Sequence, residues 1–372
     1  MAMALEKYFL AAWQSVSGIG SVQISGLLQT FGSAAAAWRE SAAGLRSAGV
    51  LSAEALQGVL RLREEHPALA EEIFASCTKA GVSVCALGEP EYPALLQQGF
   101  RPPAVLFYRG ILEEPADRLA IVGSRRCSPY GRAAARLLAE RVSRAGITIV
   151  SGAARGIDSE AHRGALAAGA RTIAVLGCGP DVAYPSENRR LLDEIAENGA
   201  VLSEYTPGTP PVPAFFPARN RIISGLCRGT LVVEAAERSG SLITAELALD
   251  TGRDVFAVPG SIFSDTSRGC HHLIQQGAKL VTRAEDIFEE YGWDPGKVQP
   301  AATGKPALSN EENRIYGVLS IEQPLSMDEI IYKLQGSNTA NVAFLLLQME
   351  LKGLIEETAT HSYVRAVKED NL

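Results

Sequence analysis

Between residues 118 and 290 short apolar runs alternate with helical stretches, and this beat constrains the fold more than any other property of the chain. The runs are 119–122, 147–150, 172–176, 200–203, 231–233 and 255–258; helical patterns such as 130–145, 188–198 and 242–251 separate them. Strands that read as unbroken apolar runs are buried on both faces. Strand–helix–strand order places them in a parallel sheet with right-handed crossovers. The expected class is α/β, a Rossmann-like doubly wound parallel sheet. In such a sheet ligands bind outside the carboxyl ends of the strands.

Three loops at that edge share one chemistry. The first strand ends in Gly123-Ser124-Arg125-Arg126, and Ser128-Pro129 then suits the N-cap and first position of a helix. The second ends in Ser151-Gly152, with Arg155 shortly after; a later one runs through Glu234 to Ser239-Gly240-Ser241. Small residues let the backbone approach a phosphate, and helix N-termini offer unpaired N–H groups. Three such loops beside arginines read as a track rather than a single nucleotide pocket. The dinucleotide fingerprint is missing, because no second glycine follows Gly123 before Gly131. A Walker A loop is missing too, so no cofactor is expected.

The run Phe215-Phe216-Pro217-Ala218-Arg219-Asn220-Arg221-Ile222-Ile223-Ser224-Gly225 follows Pro207, Pro210, Pro211 and Pro213. It is read as a loop stiffened by proline. Aromatic faces stack on bases and guanidinium forks bind phosphate, a pairing that suits single-stranded nucleic acid. The alternative is that the aromatics are core and the arginines form salt bridges. Taken alone, the run leaves both open.

Net charge is −7, which by itself argues against a nucleic-acid partner. Its distribution argues otherwise. Residues 118–290 hold 20 basic and 19 acidic side chains, and 19 of the basic ones are arginine. Windows 118–132 and 214–228 contain four and three arginines and no acid. Phosphate affinity is local, so such patches outweigh the total. No apolar run is long enough to span a bilayer, and residues 1–15 lack the marks of a secretory signal. The six cysteines form no CxxC pair, which disfavours a zinc cage and fits a reducing, cytoplasmic setting.

Catalytic and metal readings are weaker. Asp158 and His162 lie four apart on one helix face; the simpler assignment is a helix cap and a packed histidine. Cys270-His271-His272 has no spaced partner for a metal. Glu234 could serve a glycosidic hydrolase or bind Arg219 or Arg221.

Around the core, residues 1–66 read as a small helical domain. Val16-Ser17-Gly18-Ile19-Gly20 with Leu27-Leu28 and Phe31-Gly32 resembles a helix-hairpin-helix, and a weaker copy runs through 45–60. With few cations nearby, packing is the expected role. Residues 67–117 are read as connecting strands (82–87 and 104–108) that extend the main sheet. Residues 291–307 form a Pro/Gly linker. Residues 308–372 follow the order of a winged helix: three helical patterns, with 327–334 and 339–352 joined by the turn 335–338, then a hairpin near 355–364. That unit is acidic, so protein contact is expected of it above DNA reading.

The central motifs resemble the DprA/Smf family of DNA-processing proteins of natural transformation. They include Val122-Gly123-Ser124-Arg125, Ser128-Pro129-Tyr130-Gly131, Gly156-Ile157-Asp158, Tyr184-Pro185, Phe216-Pro217 with Arg219-Asn220-Arg221, Ser239-Gly240-Ser241 and Val258-Pro259-Gly260. The ordered series covers about 140 residues, from 122 to 260, and is specific. The resemblance implies a non-enzymatic protein that binds incoming single-stranded DNA, dimerises through the Rossmann domain and loads the RecA recombinase. It implies a DNA pocket at Gly123-Ser124-Arg125, Ser151-Gly152 and the run from Phe216 to Arg221. His271 departs from the family's usual asparagine, and Ser224 and Cys227 are milder departures. A second class is a nucleotide-processing hydrolase resembling the lysine-decarboxylase-like phosphoribohydrolases. Its Pro-Gly-Gly-x-Gly-Thr block is missing where this chain reads Glu237-Arg238-Ser239-Gly240-Ser241.

Overall fold

The structure, a computed structural model, describes residues 2–112, 117–294, 308–321, 323–334, 339–358 and 361–366. Its centre is a nine-stranded sheet built from β1 (Ser83–Ala86), β2 (Val105–Gly110), β3 (Arg118–Val122), β4 (Thr148–Ser151), β5 (Thr172–Leu176), β6 (Ala200–Ser203), β7 (Gly229–Val232), β8 (Asp254–Ala257) and β9 (Lys279–Leu280). The order is β1-β2-β6-β5-β4-β3-β7-β8-β9. β3 to β9 pair in parallel, and the β1–β2 hairpin joins the β6 edge antiparallel.

The chain starts at β3, winds outward through β4, β5 and β6, then returns to β7 on the other side of β3. The β3/β7 boundary is therefore the topological switch point, and the loops leaving these strands open a crevice between them. Period-2 burial shows why the sheet is covered twice. Leu119 and Ile121 of β3 pack beneath the helices Pro129–Arg144 and Ile157–Ala167, while Ala120 and Val122 pack beneath Phe215–Gly225 and Gly240–Asp250. The strands lie within two residues of the apolar runs. The α/β class with its Rossmann-like sheet is as expected.

One element differs. Residues 215–225, read as a loop, form the helix Phe215–Gly225. Pro217 is its third residue, in the first turn, where an N–H has no partner to lose.

The N-terminal helices share a core with the hairpin. Trp13, Leu27 and Trp38 belong to one cluster with Val84, Val105 and Phe107. Gly18 takes φ 82° in the turn before the helix Ser21–Phe31. Tyr291 and Trp293, at the start of the stretch read as linker, pack against the main core; 295–307 lie outside the described residues.

The C-terminal unit holds the helices Asn310–Val318, Met327–Lys333 and Thr339–Leu351 and a small sheet of β10 (Leu325–Ser326), β11 (Ile355–Glu357) and β12 (Ser362–Arg365), in the order β10-β12-β11. This is the winged-helix order; the turn 335–338 lies outside the described residues. Its third helix exposes Phe344, Leu347 and Leu351. No described helix is long and apolar enough to cross a membrane.

Candidate nucleic-acid interface

A cleft of about 620 Å³ opens at the switch point, lined by Gly123 to Arg126, Phe216, Asn220 and Ser239 to Ser241, with Arg219 at its floor. The rim is stitched sideways. The Ser124 N–H donates to the Glu234 carbonyl at 2.7 Å, the Ala235 N–H to the Thr266 carbonyl at 2.7 Å, and the Gly269 N–H to the Ala235 carbonyl at 2.8 Å. Gly123 is required by space: a Cβ there would lie 2.8 Å from the Glu234 carbonyl oxygen and 2.7 Å from Ile157.

Glu234 is a strut, not an acid aimed at a ligand. It accepts from the Ser128 N–H at 2.9 Å and from the Ser128 hydroxyl, and Ser128 caps the helix Pro129–Arg144 as expected. Gly131 leaves room for its carboxylate. Glu234 thus pairs with neither Arg219 nor Arg221, and it is not free for a hydrolytic role.

The arginines take different roles. Arg125 and Arg126 are exposed, and the Arg125 guanidinium lies 5.6 Å from the centroid of the Phe216 ring. Phe216 in turn leans on Tyr184 at 5.2 Å. Arg219 is buried and only 4% exposed. Its guanidinium donates to the Gly152 carbonyl at 2.9 Å and to the Val175 carbonyl. Burial pulls its pKa down to about 10, with Asp158 opposing, so it stays charged at neutral pH. Burial likewise raises the Asp158 carboxyl, with Arg219 opposing. Arg221 pairs with Glu204 and faces a neighbouring cleft, of about 960 Å³, shared with the Gly18–Gly20 turn. Arg155 is exposed and pairs with Glu187.

Of the expected site residues, Gly123, Ser124, Arg125, Arg126, Phe216, Asn220, Ser239, Gly240 and Ser241 come together on one rim. Ser151 and Gly152 lie beneath it. The Ser151 hydroxyl donates to the Ile121 carbonyl at 2.6 Å, and a Cβ on Gly152 would strike Arg219. Arg155 and Arg221 are not among the cleft-lining residues. Asn220 donates to the Gly240 carbonyl at 3.2 Å, tying the middle of its helix to the start of the helix Gly240–Asp250. Phe215 stacks on Tyr205 at 4.1 Å, which occupies one of its faces. Tyr184 was missed; its signal was an aromatic beside proline in a glycine-rich turn.

The other candidates resolve as structure. His162 is buried with Nδ1 2.8 Å from the Thr172 hydroxyl, and burial drives its pKa to about 3. Asp158 is not the cap of its helix, whose N-cap is Gly156; it lies in the first turn, accepts from the Ala154 N–H at 3.4 Å and lines the cleft. His271 Nε2 meets the Gly260 carbonyl at 3.0 Å, while Cys270 is buried and its thiol is pushed up to about 12.

Fold and cleft define a Rossmann-type protein that presents guanidinium and aromatic groups at the switch point of its sheet. A family model described as DNA recombination-mediator protein A matches residues 83–292, and one for the DprA winged helix domain matches 299–359. The chain belongs to the DNA recombination-mediator protein A family. It is 52% identical over 201 residues to DNA processing protein DprA of Streptococcus pneumoniae, covering 54% of this chain and 71% of that protein. The X-ray structure of DprA from Streptococcus pneumoniae aligns with TM-score 0.66 at 38% identity, covering 76% of this chain and 97% of that one. A structure of DNA processing protein A from Helicobacter pylori, studied for its single-stranded DNA binding mode, aligns with TM-score 0.52 at 29% identity, covering 57% and 97%.

Proposed function

We propose that this protein binds single-stranded DNA without strong sequence preference and loads RecA onto it during DNA uptake and recombination. The observation that carries the binding is the Arg125–Phe216 pair on an open rim. A cation and a ring side by side match a phosphate and a base one nucleotide apart. The relative from Helicobacter pylori, studied for its single-stranded DNA binding mode, supports the same ligand. Backbone contacts carry no sequence information, so preference among sequences is weak. Duplex bases, stacked inside the helix, do not reach Phe216.

The reading is non-enzymatic. Glu234 is bound at both oxygens by Ser128, and Asp158, a carboxylate that lines the cleft, is buried beside Arg219. The sequence carries no Walker A loop to drive a transfer, so handover is powered by the partner's own binding. A homodimer formed through the Rossmann domain would offer two such rims to one strand and raise affinity by linkage. The six unpaired cysteines support a cytoplasmic site of action.

The test has two stages. Labelled single strand is competed with unlabelled single strand and duplex at equal nucleotide concentration; single strand is expected to win clearly, and equal competition would sink the binding reading. RecA assembly on strand coated by single-strand-binding protein is then timed with and without the protein. No acceleration at any protein ratio would leave binding intact and remove the loading role.

A further inference from the structure

Phe263 is 91% exposed and its neighbour Ile262 77%, at the tip of the loop that follows β8. A lone phenylalanine so bare is unusual for a side chain with nothing to do. The loop is also held in place. The Tyr130 hydroxyl donates to the Pro259 carbonyl at 2.8 Å, His271 Nε2 meets the Gly260 carbonyl at 3.0 Å, and the Ser264 N–H donates to the Ser261 carbonyl at 3.0 Å. The aromatic is presented on a fixed base.

Its position is set by register. Val122 of β3, Val232 of β7 and Ala257 of β8 are aligned across parallel pairs, so the chain leaves all three strands on the same edge. The sideways hydrogen bonds Ser124–Glu234 and Ala235–Thr266 join the three exits into one rim. Phe216 packs on Gly177 at the exit of β5, four strand spacings or about 19 Å from the β8 exit. That is about six nucleotides at the roughly 3.4 Å rise of a stacked strand. Between them stands the Ala236–Ser239 turn with exposed Arg238 and Glu237, and beyond Phe263 exposed Asp265 and Arg268 pair at 3.0 Å.

We propose that Phe263 is a second base-stacking station on the same track. It would receive a base of the single strand about six nucleotides beyond the one on Phe216, after the strand passes the Ser239–Ser241 turn. The occupant is single-stranded nucleic acid because the station continues the arginine rim and offers a ring face, not a groove for a peptide. This rests on the single-strand reading above.

Binding of fluorescein-labelled oligo-dT of about 4 nucleotides, too short to span both stations, and of about 20 nucleotides to the full chain separates the two. Phe263→Ala is expected to weaken binding of the longer oligomer about tenfold and leave the shorter unchanged. Phe263→Tyr is expected to restore it. Phe263 is exposed, so neither change touches the core; a matched thermal midpoint checks this. If wild-type chain binds both oligomers and Phe263→Ala alters neither, or alters both equally, the station is overturned while the main cleft stands. If Phe263→Ala instead changes only the oligomeric mass, the loop is a protein contact and the proposal is overturned. If wild-type chain binds neither oligomer, the single-strand reading itself fails and the station falls with it.

Discussion

Arg125 and Arg219 lie in the same cleft with opposite duties: one stands over the Phe216 ring in solvent, the other is buried against the Gly152 carbonyl. An arginine count would treat them alike. Their removal has different consequences.

Replacing Arg125 and Arg126 together by alanine is expected to weaken single-strand binding with the fold intact, since both are exposed. Each lost phosphate contact lowers the log–log salt slope by about 0.7. Arg219→Ala is expected to cost about 3 kcal/mol of stability, because it leaves two carbonyls and Asp158 without their buried cation. Anisotropy titrations over a salt series, beside urea unfolding, separate the two outcomes. An Arg219→Ala chain as stable as wild type would contradict the assignment.

Phe216→Leu keeps the apolar bulk against Tyr184 but loses the ring face. Base–aromatic stacking is worth about 1–3 kcal/mol, so single-strand affinity is expected to fall about tenfold or more. Phe215→Leu, on a ring already stacked on Tyr205, is expected to change binding less. Equal losses would move the stacking site to Phe215.

Acid should destabilise the chain through His162. Its pKa is near 3 when folded and 6.5 when free, so between these values the unfolded chain holds the extra proton. Its contribution is whole above 6.5 and fades as pH falls toward 3, at about 1.4 kcal/mol per pH unit. Asp158, raised by burial, acts in the opposite sense above its usual 3.8 and softens the slope. His162→Gln is expected to flatten the dependence of unfolding free energy on pH between 6.5 and 4. An unchanged slope would mean the imidazole is protonated in place.

Ending the chain before residue 308 is expected to leave single-strand affinity within about threefold. The third helix of the winged unit shows Phe344, Leu347 and Leu351 where a DNA reader shows cations, and Lys352 just beyond it pairs with Glu312. A loss as large as that of the Arg125/Arg126 double variant would make this unit a main contact.

The sheet was legible because its strands are buried on both faces and read as unbroken apolar runs, with capping residues such as Ser128 marking helix starts. The helix Phe215–Gly225 was hidden by the prolines before it and by Pro217 within it. That error carried into the site. On a loop, Arg219 and Arg221 can point the same way; on a helix, two residues turn through about 200°, so one faces the sheet and the other does not. Glu234 was misread for another reason. Its partner Ser128 is 106 residues away and meets it only through the β3–β7 pairing.

The hairpin laid on β6 has a consequence for how the sheet meets other chains. An unpaired strand edge is a template for uncontrolled growth. Here one flank is closed twice: β2 covers β6, and β1 is in turn roofed by the N-terminal helix, whose Lys7 ammonium donates to the Val84 carbonyl at 2.8 Å. The other flank ends in β9, only two residues long. The N-terminal helices thus act as a stopper as well as a neighbour. A chain cut back to residue 118 would keep every rim residue yet expose β6 along its length, and would be expected to precipitate before it could be tested for DNA.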